Sequence, residues 1–181
     1  MTGQDWHSVR CYGCGPENDS GLKADFRFDE NTGEVRFEFV GRPEHLGAPG
    51  FVHGGVLASL LDEAQGVLCF HVGHTVMTDQ LMMKYHKATP LGAVLRIRCW
   101  ITAVRRRRLY TKATIHAENG DLLASARGVW YAMPERLVVR LFQDYPPSER
   151  EYVRTVLELN RKRAKEIRRR IRQEKSRTKT V

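Results

Sequence analysis

The chain has no apolar run approaching the roughly 18 residues that a membrane-spanning helix requires; even the stretch Val56 to Leu61 is interrupted by Ser59. Its opening residues, Met1 to Arg10, carry Asp5 and His7 and no apolar block, so no secretory leader is expected. Cysteine is scarce, four in 181 residues. Without a leader these are expected to be reduced thiols in a cytoplasm rather than a disulfide framework. No internal repeat is visible, and no low-complexity tract outside an Arg/Lys-rich C-terminal stretch. These absences argue against a secreted disulfide scaffold, a helical membrane span and a disordered chain.

What is present suits one globular domain of ordinary size, with 41% hydrophobic and 28% charged residues. The net charge of +9 is unevenly placed. Residues 148–181 hold 13 Lys/Arg against 5 Asp/Glu, a local +8, whereas residues 1–147 hold 17 against 16, a local +1. Pro146-Pro147 marks the boundary. The reading is a body over 1–147, with an N-terminal loop segment 1–21, and a basic helical extension over 148–181. Ser148 and Glu151 have the spacing of a capping box. Val153, Leu157, Asn160, Ala164, Ile167 and Ile171 then form a heptad seam. The extension is expected to be an amphipathic helix that is solvated or packs on the body or a partner. Contact with nucleic acid or an anionic membrane is the less favoured use, because no reading motif accompanies the charge.

Within the body, Leu22, Ala24, Phe26 and Phe28 alternate, Asn31 to Gly33 turn, and Val35, Phe37 and Phe39 resume the period of two, which predicts a β-hairpin with one buried face. From Gly54 the period changes. Val56, Leu57, Leu60, Leu61, Ala64, Val67 and Leu68 recur at helical spacing and cover most of the circumference, so this helix is central. One narrow stripe, Gly55, Ser59, Asp62 and Gly66, is small or polar. Four β-rich stretches follow: Thr75 to Ala88, Val94 to Val104, Tyr110 to Ala117 and Leu122 to Tyr131. They are separated by Pro90 with Gly92, by Arg105 to Arg108, and by the hairpin signal Asn119-Gly120. Strand, strand, helix and four strands predict an α+β fold, an antiparallel sheet wrapped around a central helix.

Val52-His53-Gly54-Gly55, followed by Asp62, carries the chemistry. Two glycines opening a helix let a second molecule approach N–H groups that have no partner inside the helix, where the dipole favours negative charge. Such donors suit a carbonyl oxygen that gains charge during a reaction. Asp62 lies about 12 Å further along the axis, on the small-residue stripe. The bland reading of Asp62 is a buried carboxylate paired with an Arg; the glycine pair favours function.

This constellation resembles the signature of hotdog-fold acyl-CoA thioesterases of the PaaI-like group. The residues that carry the likeness are Gly47-Ala48-Pro49-Gly50-Phe51-Val52-His53-Gly54-Gly55, Leu61-Asp62, Val76-Met77-Thr78, then Tyr85, Pro90 and Leu91, with Cys11, Cys14-Gly15, Asn18 and Gly21-Leu22 upstream. The likeness spans residues 11–133. It implies hydrolysis of acyl-CoA to free acid and CoA by a homodimer or homotetramer in which the helix of one subunit faces the third strand of its neighbour. Asp62 would be the general base or nucleophile, and the Gly54 N–H would polarise the thioester carbonyl with Gly55 beside it. Thr78 would sit across the dimer interface and orient water, and His53 would shape the loop. Ser59 and Gly66 would line the acyl chain. No cofactor is expected beyond the CoA of the substrate. A second reading is a non-catalytic acyl-CoA sensor whose basic helix contacts nucleic acid, membrane or a partner protein.

Two other clusters remain. Arg105 to Arg108 is either a solvated edge or a clamp on the CoA phosphates; Arg106 and Lys84 are the candidates, with Lys87 a rival. Cys11-x-x-Cys14 with His7 supplies only three ligands where a structural zinc site uses four, so no metal is expected. Cys69 and Cys99 read as core thiols, and Glu63 as a structural or interface residue.

Overall fold

A computed structural model describes residues 9–141 continuously and, beyond them, residues 143, 147, 150, 151, 154, 155, 158, 165, 169 and 173. The strands are β1 (Arg27–Asp29), β2 (Glu34–Val40), β3 (Val76–Tyr85), β4 (Val94–Arg105), β5 (Arg108–Ala117) and β6 (Leu122–Ala132). They form one sheet in the order β1-β2-β4-β5-β6-β3, with every pairing antiparallel. The long helix α1 (Gly54–His71) packs against β2 through β6, and a short helix α2 (Glu135–Leu141) follows the sheet. This is the hotdog architecture expected from the sequence. No helix among the described residues is long and apolar enough to cross a membrane.

The apolar pattern explains the wrapping. Leu57, Leu60, Leu61, Ala64, Val67 and Leu68 are buried on α1, against Val35, Phe37, Phe39, Leu95, Ile97, Leu109, Ile115 and Trp130 from the sheet. Each fully buried Leu or Val is worth about 1.5–3 kcal/mol relative to exposure. The stripe of Gly55, Ser59, Asp62 and Gly66 is the less buried side.

The predicted first strand is shorter than the alternation implies. Leu22, Ala24 and Phe26 are buried as the pattern requires, but ladder pairing begins only at Arg27. Lys23 takes a left-handed backbone (φ 53°), and the N–H groups of Leu22 and Ala24 go to the carbonyls of Tyr12 and Gly13, at 2.7 and 3.0 Å. The segment thus pairs with the N-terminal loop instead of β2. In β3 the register shifts between Thr78 and Gln80, leaving Asp79 as an extra residue opposite β6.

In the C-terminal extension, the described residues 150, 151, 154, 155, 158, 165, 169 and 173 are helical. Ser148 and the seam positions Val153, Leu157, Asn160, Ala164, Ile167 and Ile171 lie outside the described residues, as does His7.

One buried polar knot ties α1 to the sheet. Gln65 is fully buried; its Nε2 donates to the Leu61 carbonyl at 2.7 Å, and its Oε1 accepts from the Thr111 hydroxyl. Trp130 Nε1 donates to the same Thr111 oxygen at 2.8 Å. Gly128 leaves the room: a Cβ there would lie 2.4 Å from Trp130 Nε1 and 2.6 Å from both Gln65 Oε1 and Thr111 Oγ1. Gly128→Ala is therefore expected to cost about 2–3 kcal/mol, read as a lower urea midpoint at unchanged slope. A midpoint equal to wild type would show that the knot tolerates the added methyl.

Candidate active site

His53 caps α1 from an extended backbone conformation, its Nδ1 accepting the Gly55 N–H at 2.9 Å. That bond requires Nδ1 to be the unprotonated ring nitrogen. The Val56 and Leu57 N–H groups point to the His53 carbonyl, at 3.0 and 3.4 Å. Among the described residues, the Gly54 N–H is left without an acceptor. The Gly55 N–H, expected beside that of Gly54, is engaged by His53. Gly55 contributes its missing side chain instead, since a Cβ would come 2.9 Å from His53 Nδ1.

Tyr85, at the end of β3, donates its hydroxyl to the Gly54 carbonyl at 2.9 Å. The helix N-terminus thereby opens onto a cavity of about 440 Å³ whose walls include Phe51, His53, Gly54, Tyr85, Lys87 and Thr89. The buried Thr89 hydroxyl has no partner among the described residues, so the wall carries one hydrogen-bonding group that the fold itself does not satisfy.

Two turns further along α1, Asp62 stands on the stripe with no ion pair to a cation among the described residues. Thr78 of β3 donates its hydroxyl to Asp62 Oδ1 at 3.1 Å. Within one chain the strand packs alongside the helix, and the hydroxyl reaches the carboxylate of its own subunit. Burial pushes the Asp62 carboxyl above the usual range, and the Thr78 hydrogen bond pulls it partly back. Ser59 spends its hydroxyl on the Gly55 carbonyl one turn back, at 3.0 Å. Gly66 faces the Trp130 ring, which a Cβ would meet at an ordinary 3.5 Å. Trp130 therefore lies under the stripe beside Asp62.

The two cations assigned to phosphates fall elsewhere in the chain. Lys84 neighbours Tyr85 in β3, so it points to the opposite face of the sheet from α1. Arg106 is exposed, in a left-handed conformation (φ 53°) at the β4–β5 turn. Neither touches the stripe. Lys87 is paired with Asp121 at 2.8 Å.

The sequence likeness includes Tyr85 without a role for it, and Trp130 was not singled out at all. An aromatic ending the strand after the helix was the available signal for Tyr85; nothing local marked Trp130. Glu63 also proves specific, since its carboxylate meets Cys11 Sγ at 3.3 Å and lies near Cys14, a cluster with the donor types of a metal site.

Residues 49–124 match the family described as Thioesterase superfamily. The chain is similar to acyl-coenzyme A thioesterase THEM4 of Rattus norvegicus, 33% identical over 107 residues, which are 58% of this chain and 46% of the relative. It thus spans about half the length of the curated relatives it matches. A crystal structure of a thioesterase superfamily protein superposes with a TM-score of 0.65 at 32% identity, covering 68% of this chain and 60% of that one. A Streptococcus mutans protein bound to acetyl CoA superposes with a TM-score of 0.57 over 61% of this chain and 88% of that one; at 23% identity it speaks to the fold.

Because the Thr78 hydrogen bond favours the charged form of Asp62, Thr78→Val is expected to raise the Asp62 midpoint further. Carbon-detected NMR titration of the side-chain carboxyls in both proteins checks the sign. A lower or unmoved midpoint would contradict it.

Proposed function

We propose that this chain hydrolyses acyl-CoA thioesters to free acid and CoA. The observation that carries the reading is the half-buried Asp62, held by Thr78 on a stripe of small residues, on the same helix that presents an unengaged N–H at Gly54. A carboxyl whose proton affinity is raised by burial makes a better base than an ordinary one. Asp62 takes a proton from water, or attacks directly, while Thr78 holds the carboxylate in orientation. The Gly54 N–H, at the positive end of the α1 dipole, steadies the oxyanion. The chemistry asks for a base, water and an anion site, so no cofactor is needed beyond the CoA of the substrate. The acetyl CoA bound by the Streptococcus mutans neighbour supports a CoA-bearing substrate.

Gly54 and Asp62 are about 12 Å apart along one helix. A single carbonyl group cannot lie within hydrogen-bonding distance of the first and bonding distance of the second. The reading therefore requires two copies, Asp62 with its Thr78 from one and the Gly54 N–H from the other. Among the described residues the outer edge of β3 has no strand beside it, and it carries exposed Met77, Met82 and Tyr85. That is the kind of edge a second copy covers.

Asp62→Asn is expected to lower thiol release from acyl-CoA by roughly 10²–10⁴-fold. Gly54→Pro removes only the donor N–H, since proline suits the first helical position and His53 is already extended; it is expected to cost about 10²–10³-fold. Mixing the two inactive proteins tests the shared site. Reassociated mixed dimers carry one intact site, and activity should return to about a quarter of wild type. No recovery in verified mixed dimers would overturn the shared site and, with it, the pairing of Asp62 with the Gly54 N–H. Acyl-CoA binding without turnover by the wild type would overturn hydrolysis in favour of a sensor.

A further inference from the structure

The sequence sets Cys11 and Cys14 at metal-ligand spacing, and the fold brings them a third group from far along the chain. Glu63 follows Asp62 on α1 and turns away from the stripe. Its Oε1 lies 3.3 Å from Cys11 Sγ. Cys11 Sγ, Cys14 Sγ and a Glu63 carboxylate oxygen all lie within 4.8 Å of one another. Cys14 is buried, and Cys11 and Glu63 are half-buried.

The loop is shaped around this cluster. A Cβ on Gly13 would sit 2.3 Å from Glu63 Cγ and 2.8 Å from its Oε2, and one on Gly15 would sit 2.4 Å from the Cys11 nitrogen. A side chain at Gly13 would displace the Glu63 carboxylate from the cysteines, and one at Gly15 would displace the loop backbone. The Gly15 N–H closes the Cys-x-x-Cys-Gly turn on the Cys11 carbonyl at 2.8 Å. A disulfide between the two cysteines would explain the sulfurs. It would not explain the carboxylate turned onto them, nor the glycine that makes room for it.

We propose that Cys11, Cys14 and Glu63 bind a zinc ion that fastens the N-terminal loop to α1. Two thiolates select a thiophilic cation over Mg²⁺ or Ca²⁺, which prefer oxygen ligands throughout. The two-residue spacing of the cysteines is usual for zinc, and a carboxylate oxygen is an accepted third ligand. Water or another donor completes the tetrahedron. Binding releases both thiol protons to solvent; two thiolates and one carboxylate then surround a dication, leaving one net negative charge. The site lies on a different side of α1 from Asp62 and does not depend on the hydrolase reading.

The test uses the full chain, reduced and titrated with Co²⁺ in place of Zn²⁺. The expected result is a thiolate-to-cobalt charge-transfer band that saturates near about one ion per chain and is displaced by Zn²⁺. Cys14→Ser should abolish the band. Glu63→Gln should weaken Co²⁺ binding by roughly tenfold or more, since even an outer-shell partner of a metal is commonly worth that much. Zn²⁺ should also protect Cys11 and Cys14, in the wild type, from alkylation by iodoacetamide, measured by peptide mass. That measurement needs no variant to fold. Absence of the band, an undiminished affinity in Glu63→Gln, or full alkylation of both cysteines with Zn²⁺ present would overturn the proposal.

Discussion

The rotation of α1 about its own axis is the constraint on which the rest depends, and Gln65 sets it. An apolar helix in an apolar trough has many nearly equivalent rotations, because dispersion contacts carry little direction. A buried amide does not, since leaving its polar atoms unpaired costs about 1–3 kcal/mol. By joining Thr111 on β5 and, through it, Trp130 on β6, Gln65 selects one rotation. Asp62 lies three residues earlier, close to one helical turn, and its direction follows. The Thr78 contact and the exposure of the stripe are consequences of that choice.

The charged groups of the body divide by how they are partnered. On the outer face, Glu34 is clasped by Arg36 at 2.8 Å and Arg98 at 2.7 Å. Burial pushes its carboxyl up, but the two guanidiniums outweigh burial and hold it below the usual range. That carboxylate is structural and fixed in its charged form. Asp62 is the opposite case, partly buried with a hydroxyl as its partner and a midpoint displaced upward. Burial of charge without a counter-ion is what a fold avoids unless the group is used.

Much of this was legible in the residues. The change of period at Gly54, the stripe through Asp62 and the Asn119-Gly120 turn, where Gly120 takes φ 87°, follow from local rules. So did the burial of Leu22, Ala24 and Phe26, although their hydrogen bonds did not, because alternation reports which face is wet and says nothing of which chain segment supplies the ladder. The contacts that escaped are those across long separations. Glu63 reaches back 52 residues to Cys11, and Tyr85 back 31 to Gly54. Lys84 was attractive as a cation near the site, yet the pleat of β3 turns it away as surely as it turns Tyr85 inward.

The extra residue in β3 settles a question of parity. Thr78 and Tyr85 are seven positions apart, an odd number, so in an unbroken strand they would project from opposite faces of the sheet. Asp79, standing outside the ladder, shifts the phase by one and brings both onto α1, one at Asp62 and the other at Gly54. The strand behaves like a ruler with one tick left out. Its two halves are in phase with the helix only while that omission persists, and a chain that regularised the strand would keep a better-paired sheet and lose one end of the site.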